Sequence, residues 1–395
     1  MGSVNIDNTG SGADVTLSSD GTDLLLDGTA IGGGGAALEL YAENPVTPTA
    51  PSATGDNAVA IGHGSLASGD KSIALGWSSA SGVEGVSIAI DNNTTNYGAR
   101  GVNSISIGKF STATNTSAVA VGETSSATGN KSSALGYNAV SAGTFSHALT
   151  NSYASGADSF AAAIANNTSS YGATGANSVA VGYRAKATGQ NGAAIGGTTN
   201  TASGLFSFAA GPSSNIASGT FSVALGDACE ATTNNAFALG HDGKSVIQGK
   251  FAYGSGKFST VSDAQNGMFV LRRATTDATA TQLTTNNGGA STTNQIILPN
   301  NSAYAFHGTI VARQQASAGT ASAAWKVEGL IRREGSAGTT VLVNSATTVL
   351  DNTPGWGLAL SADTTNGGLK IEATGAASTN IRWVATIHTS EVTYA

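Results

Sequence analysis

Between residues 57 and 240 the apolar positions recur in one short phrase: a small residue, an aliphatic one, Ala, another aliphatic and Gly. Examples are Ala58-Val59-Ala60-Ile61-Gly62, Ser72-Ile73-Ala74-Leu75-Gly76, Ala118-Val119-Ala120-Val121-Gly122 and Ser222-Val223-Ala224-Leu225-Gly226. The closing position of the phrase falls at 62, 76, 91, 108, 122, 136, 150, 165, 182, 196, 211, 226 and 240, a period of 14 to 15 residues stretched twice to 17. A short fixed period is the mark of a solenoid. Within the phrase the side chains alternate, so Val59 and Ile61 share one face of a strand and Ala58 and Ala60 the other. A second piece, such as Lys186-Ala187-Thr188-Gly189, follows each phrase, and the glycines stand where the chain turns sharply.

A coil of about 14 residues is too short for a three-sided β-helix with a thick core, so it must be flat, with the Ala face filling its inside. The larger aliphatic row is then left outside as a stripe longer than a soluble monomer exposes. Closed cyclic packing against copies of the same chain buries it, which predicts a homo-oligomer and, first among these, a homotrimer. At roughly 4.8 Å per stacked strand, the rungs would form a rod of about 60 Å.

Outside the repeat the pattern changes. Val15-Thr16-Leu17 and Leu24-Leu25-Leu26, separated by Asp20-Gly21, predict a hairpin, and Pro45, Pro48 and Pro51 a stiff linker, so 1–52 reads as an attachment segment. Residues 53–240 are the repeats. Residues 241–265, with Gly249 to Phe258 and then Ser262-Asp263-Ala264-Gln265, read as a neck that covers the open end of the roll. From 266 to 395 eight alternating segments predict an antiparallel β-sandwich or jelly roll: Met268–Arg272, Gln295–Leu298, Tyr304–Ala312, Trp325–Arg332, Thr339–Val343, Trp356–Leu360, Leu369–Ala373 and Ile381–Ile387.

Composition alone would suit a disordered polar chain, which the repeat argues against, and it narrows the chemistry. Only 10% of the 395 residues are charged and 6% aromatic, while Gly alone supplies 53. The net charge of -7 without a basic stripe argues against nucleic acid as a partner. No apolar run approaches a membrane helix and no leader of the secretory type opens the chain, so membrane insertion is not expected. The single Cys229 reads as a small buried residue. No Gly-x-Ser-x-Gly elbow occurs, Gly243-Lys244-Ser245 lacks the rest of a phosphate loop, and the histidines at 63, 147, 241, 307 and 388 lack metal-ligand spacing. The acids Glu328, Glu334, Asp351, Asp363 and Glu372 sit on separate predicted elements and read as solvated surface groups. The expectation is therefore a protein that is not an enzyme and uses no cofactor or metal.

Contact residues are sought in the loops and the tip. Asn92 to Gly101 is echoed by Asn166 to Gly175 at an offset of 74, inside the two long rungs. Tyr97 and Tyr171 there are either sugar-stacking rings or rings packed over their own turns. Trp356 in Pro354-Gly355-Trp356-Gly357, with Arg332 and Arg333, offers an aromatic beside cations suited to sugar or anionic groups, or else the tryptophans 325, 356 and 383 form a core.

The stretch Asn177 to Gly182, with Ala185, Ala187 and Gly189, resembles the head repeat of trimeric autotransporter adhesins of the YadA type. That resemblance implies a left-handed parallel β-roll wound as a trimer. The Ser262–Gln265 neck and the strands after it are similar to C-terminal domains of phage tail-fibre and virion proteins. Together they imply a virion fibre: a trimeric shaft, joined to other virion proteins, whose tips touch a host cell-surface glycan or envelope receptor. The alternatives are the head of a bacterial trimeric autotransporter and a virion decoration or head-fibre protein without a receptor role.

Overall fold

A computed structural model describes residues 49–89, 96–162, 170–315 and 321–394, together with the backbone of four strands nearer the N-terminus. The chain is all-β: its described residues hold parallel solenoid strands followed by antiparallel sheets, and no α-helix. It divides into two compact units, Met1–Thr116 and Ser117–Ala395.

In the first unit Val15–Ser19 and Leu24–Leu26 pair antiparallel with Leu17 opposite Leu26, as the hairpin pattern requires. Val4–Ile6 and Thr29–Ile31 extend this pair to a four-stranded antiparallel sheet. The same unit carries the first coils. Val59–Ile61, Ile73–Leu75, Val86–Ile88 and Ile105–Ile107 stack in parallel, each phrase in register with the next. The short second pieces, from Ser52–Ala53 to Thr112–Ala113, stack as a separate parallel sheet.

The second unit repeats the plan from Val119–Val121 onward. The roll does not stop at 240. Phe251–Ser255 pairs in parallel with Phe237–His241, so one further coil is wound from residues read as neck. Its phrase is Lys250-Phe251-Ala252-Tyr253-Gly254, with Gly254 fourteen positions after Gly240 and Lys250 in the seat of the small residue.

Why these residues make this coil is visible position by position. The phrase alanines, among them Ala74, Ala120, Ala134, Ala180 and Ala224, are fully buried in the narrow interior. Two left-handed residues per coil make the corners. Asn57, Asn103, Asn177, Asn191 and Asn235 occupy one corner at φ of 55 to 56°, a conformation that Asn tolerates better than most side chains. The glycines of the second piece answer a different need: a Cβ on Gly129 would lie 1.9 Å from the carbonyl oxygen of Gly143 in the next coil. Three residues after such a glycine a buried serine turns its hydroxyl back, so that Ser132, Ser146 and Ser159 donate to the carbonyls of Gly129, Gly143 and Gly156 at 2.7 to 2.8 Å. The turn carbonyls are thereby satisfied inside the coil. Asn200 and Asn215 form a similar buried column, and Cys229 follows it: the Asn215 Oδ1 accepts the Cys229 N–H at 3.0 Å. Burial pushes the Cys229 thiol up.

After the last coil the direction reverses. Ala264–Thr275 runs antiparallel to Phe251–Ser255 and to Ile381–Thr393. Ser302–Gln314, Ser322–Arg333 and the edge strand Val341–Asp351 complete the larger sheet. A smaller antiparallel sheet joins Thr281–Gln282, Ile296–Ile297, Gly357–Asp363 and Gly368–Thr374. Each of the eight expected segments overlaps a strand, although Thr339 belongs to the 3-10 turn Ala337–Thr339 and Gln295, Leu298 and Trp356 fall just outside their strands; Thr281–Gln282 is an addition. Both sheets contribute to one core, with Phe269, Ile310, Trp325 and Ile387 from the larger and Ile296, Leu369 and Ile371 from the smaller. Ile381, Trp383, Ala385 and Ile387 all point inward, as their alternation predicts. Each large side chain so buried contributes about 1.5–3 kcal/mol.

Candidate functional site

The last coil differs from the others at one seat. Where Ser132, Ser146, Ser178 and Ser222 stand buried, Lys250 stands buried too. An ammonium at that depth needs a partner, because desolvating an isolated charge is costly. The partner comes from the final strand: Lys250 Nζ lies 2.6 Å from Glu391 Oε2. The neck supplies the next contact, with Gln265 Nε2 donating to Glu391 Oε2 at 2.7 Å and to the Lys244 carbonyl at 3.1 Å. The Thr389 hydroxyl donates to Glu391 Oε1 at 2.7 Å. The rings of Phe269 and Tyr304 face the ammonium at 5.4 and 5.9 Å. Burial first, and then the charge of Glu391 and the hydrogen bond to it, raise the Tyr304 phenol well above its usual value. Tyr304 is therefore a neutral donor, and Lys250 is held by a carboxylate and faced by two rings.

Beside this cluster opens a cavity of about 390 Å³. Lys244, Lys250, Gln265, Tyr304 and Arg333 bring donors to it, and Val246, Ile247, Ile297, Leu298 and Pro299 form an apolar wall. Arg333 Nη1 donates to the Leu298 carbonyl at 2.7 Å, while its Nε is buried without an acceptor. A second cavity of about 380 Å³, lined by Arg332, Arg333, Glu334, Ser302 and Tyr394 among others, shares Arg333 with the first. No carboxylate is among the described residues lining the first cavity. Its lining offers hydrogen-bond donors beside an apolar wall.

The neck is held by its own acid. Asp263 accepts from the backbone N–H groups of Phe258, Ser259 and Thr260 at 2.8, 2.6 and 2.8 Å. Burial alone raises a carboxyl, but the N–H groups of Thr260, Ser259 and Phe258 outweigh it and hold Asp263 down at about 2.

The residues expected to make contacts are placed unequally. Arg333 lines both cavities. Arg332 is exposed on the opposite face of the strand and pairs with Glu334 at 3.5 Å. Trp356 does not project from its turn. It is only 5% exposed, its ring lies 5.8 Å from that of Trp383, and Trp325 stacks on Trp383 at 5.5 Å. Asn352 draws the loop inward, accepting the Trp356 N–H at 2.9 Å and donating to its carbonyl at 2.7 Å. The three tryptophans are core, and an accessible Trp356 is corrected accordingly. Tyr97 and Tyr171 are half-buried and lean on the following coil, Tyr97 against Phe110 at 5.1 Å and Tyr171 under the Arg184 guanidinium at 5.8 Å. The residues just before them in the duplicated stretches, 92–95 and 166–169, lie outside the described residues. Histidines separated in sequence do meet: His307 and His388 stand opposite each other and stack at 5.4 Å. Among the described residues no three of His, Cys, Asp and Glu are gathered for a metal, and no helix is long and apolar enough to cross a membrane.

Residues 53–79, 99–125, 113–139, 127–149, 173–198 and 217–242 match the YadA head domain repeat. These matches fall in the roll and leave the C-terminal sheets outside. No curated protein matches the chain. Among solved structures it is similar to the tailspike protein gp49 of Acinetobacter baumannii bacteriophage Fri1, a capsular polysaccharide depolymerase, at 11% identity and a TM-score of 0.21, covering 80% of this chain and 45% of that one. It is also similar to the tailspike of Acinetobacter phage vB_ApiP_P1 (9% identity, TM-score 0.20, 74% and 50% covered) and to that of Acinetobacter baumannii phage AM24 (9%, 0.17, 80% and 52%). The chain spans about half the length of the tailspikes it matches. At these TM-scores the likeness assigns no activity. It does correct one expectation: the lack of catalytic motifs predicts a protein that is not an enzyme, and with a depolymerase among the similar chains that reading no longer stands.

Proposed function

We propose that the chain is a fibre protein of a phage virion, wound with two copies of itself into a homotrimer of left-handed rolls, whose C-terminal β-sandwich meets glycan on the host surface. The observation that carries this reading is the outward row of the roll. Val59, Ile73 and Leu149 are 43, 37 and 38% exposed in the single chain, and the same two seats carry Val, Ile or Leu in most coils. A stripe of this kind needs cover, and copies related by a closed rotation supply it without leaving a free end to grow. The edge strand Val341–Asp351 adds to the demand, with Val349 and Leu350 at 57 and 60% exposed. An uncovered apolar edge is an aggregation hazard in a lone chain.

The virion assignment is supported by the Ser262–Gln265 neck and the strand series after it, which are similar to the ends of phage tail fibres. A second reading, the head of a bacterial trimeric adhesin, is favoured by the YadA head repeat. Sedimentation equilibrium is expected to give three times the 38.7 kDa chain mass; a monomer at micromolar concentration would overturn the oligomer. Immunogold label is expected on the fibres of purified virions, and label confined to the bacterial outer surface would favour the second reading.

A further inference from the structure

The cavity at the end of the roll is furnished for a particular ligand. Of its three cations, Lys244 and Lys250 are balanced by Glu230 and Glu391, each at 2.6 Å. Arg333 is not balanced. Among the described residues no carboxylate comes within ion-pair distance of it, since neighbouring Glu334 is held by Arg332. Its Nη1 is committed to the Leu298 carbonyl, and its Nε is buried with no acceptor. A guanidinium that lines a cavity with no carboxylate beside it favours an anionic ligand there, and a carboxylate is the oxyanion its planar group matches best.

The rest of the wall says what the carboxylate is attached to. Ile297, Leu298 and Pro299 present an apolar surface, and Ser262, Thr292 and Gln265 present hydroxyl and amide groups. An inorganic anion makes no use of an apolar wall. A sugar ring has one apolar face and a rim of hydroxyls, so it fits both surfaces at once. At about 390 Å³ the cavity falls within the roughly 300–1,000 Å³ usual for small-molecule sites.

We infer that this cavity binds a carboxylated sugar, a uronic acid unit of a surface polysaccharide, with the carboxylate on Arg333 and the ring against Ile297–Pro299. The inference rests on the adhesin reading above for the source of the sugar. It accounts for a feature that reading leaves unexplained, the guanidinium without a counter-charge.

The test is calorimetric titration of the full chain with D-glucuronate, D-glucose, acetate and inorganic phosphate. Glucuronate is expected to saturate the protein in the millimolar range or tighter, with each of the other three weaker by about tenfold or more, as a site built around a charged pair discriminates. Arg333→Gln is expected to weaken glucuronate by about tenfold, whereas Arg382→Gln, an exposed charge on the outer face of the same sheet, leaves it unchanged. If Arg333→Gln does not fold by near-ultraviolet circular dichroism, Lys244→Gln on the cavity wall replaces it, with a loss of about threefold expected. No heat with glucuronate, glucose or acetate binding equally well, or indifference to these variants, would each overturn the inference. Binding of labelled full chain to host cells is measured in parallel. Glucuronate binding without cell binding would sink the adhesin reading and leave the cavity; cell binding without glucuronate binding would do the reverse.

Discussion

The pair Lys250–Glu391 makes a quantitative prediction. Their side chains are 4 and 1% exposed and meet at 2.6 Å, so Glu391→Gln removes the counter-charge of an almost fully buried ammonium. Breaking a buried pair from one side costs about 3–5 kcal/mol. Lys250→Met strands the carboxylate instead, but Gln265 and Thr389 still donate to it, which places that variant at the lower end of the range. The double variant Lys250→Met, Glu391→Gln removes both charges and keeps an oxygen for those donors, so most of the loss is recovered, to within about 1.5 kcal/mol of the parent. The assay is guanidinium unfolding followed by tryptophan fluorescence, because Trp325, Trp356 and Trp383 all lie in the C-terminal core. With a slope of about 4 kcal/mol per molar guanidinium, Glu391→Gln lowers the midpoint by roughly 0.8–1.2 M. A shift under about 0.2 M, or a double variant no better than the singles, would refute the reasoning that the pair is buried and mutually dependent.

Other expectations follow from single positions. Gly143→Ala places a Cβ 2.0 Å from the Gly156 carbonyl oxygen, and forcing the coils apart costs about 3 kcal/mol or more, read as a fall in the melting temperature. Thr124 holds φ of 55° with a branched side chain, so Thr124→Asn is expected to stabilise the roll by about 0.5–1 kcal/mol in the same melt. Asp263, depressed to about 2, keeps its turn fully formed above about pH 4, the range of a free carboxyl, and loses it as pH falls through its folded value. Protection of the Phe258, Ser259 and Thr260 amides, taken relative to their intrinsic exchange rate at each pH, is expected to fall between pH 5 and 2, and Asp263→Asn to remove that dependence; an unchanged profile in the variant would sink the assignment.

Much of this molecule is legible from its pattern. The alternation of Ala with Val, Ile and Leu states which face is inside, and the interval between glycines states the coil, because stacking in register permits only small residues at fixed seats. The C-terminal strands are legible for the same reason: Ile381, Trp383, Ala385 and Ile387 alternate with residues that face out. What was not legible depends on distance along the chain. Lys250 and Glu391 lie 141 residues apart, and no local rule joins them. One signal was present in the sequence, since Lys250-Phe251-Ala252-Tyr253-Gly254 keeps the phrase while breaking it at the buried seat. The return of aromatics and lysines around it suggested a neck instead. Trp356 shows the opposite difficulty. Flanking glycines and a proline describe an exposed turn equally well as a turn that tucks its ring inward, and only the Asn352 clamp decides between them. Phe145, Phe206 and Phe221 sit in left-handed corner seats elsewhere held by Asn, a substitution that backbone preference alone argues against.

Because each coil meets its neighbours through the same seats, the roll can be lengthened by whole coils without redesigning either end. The duplication at an offset of 74 residues spans five closing glycine positions or their equivalents, and copying such a block adds roughly 24 Å of reach. The carbonyl-to-glycine contacts and the serine hydrogen bonds at the new joint are then identical to those already present. Length in this architecture is therefore a quantity that recombination within one gene can adjust in steps of one coil, independently of the groups at the tip.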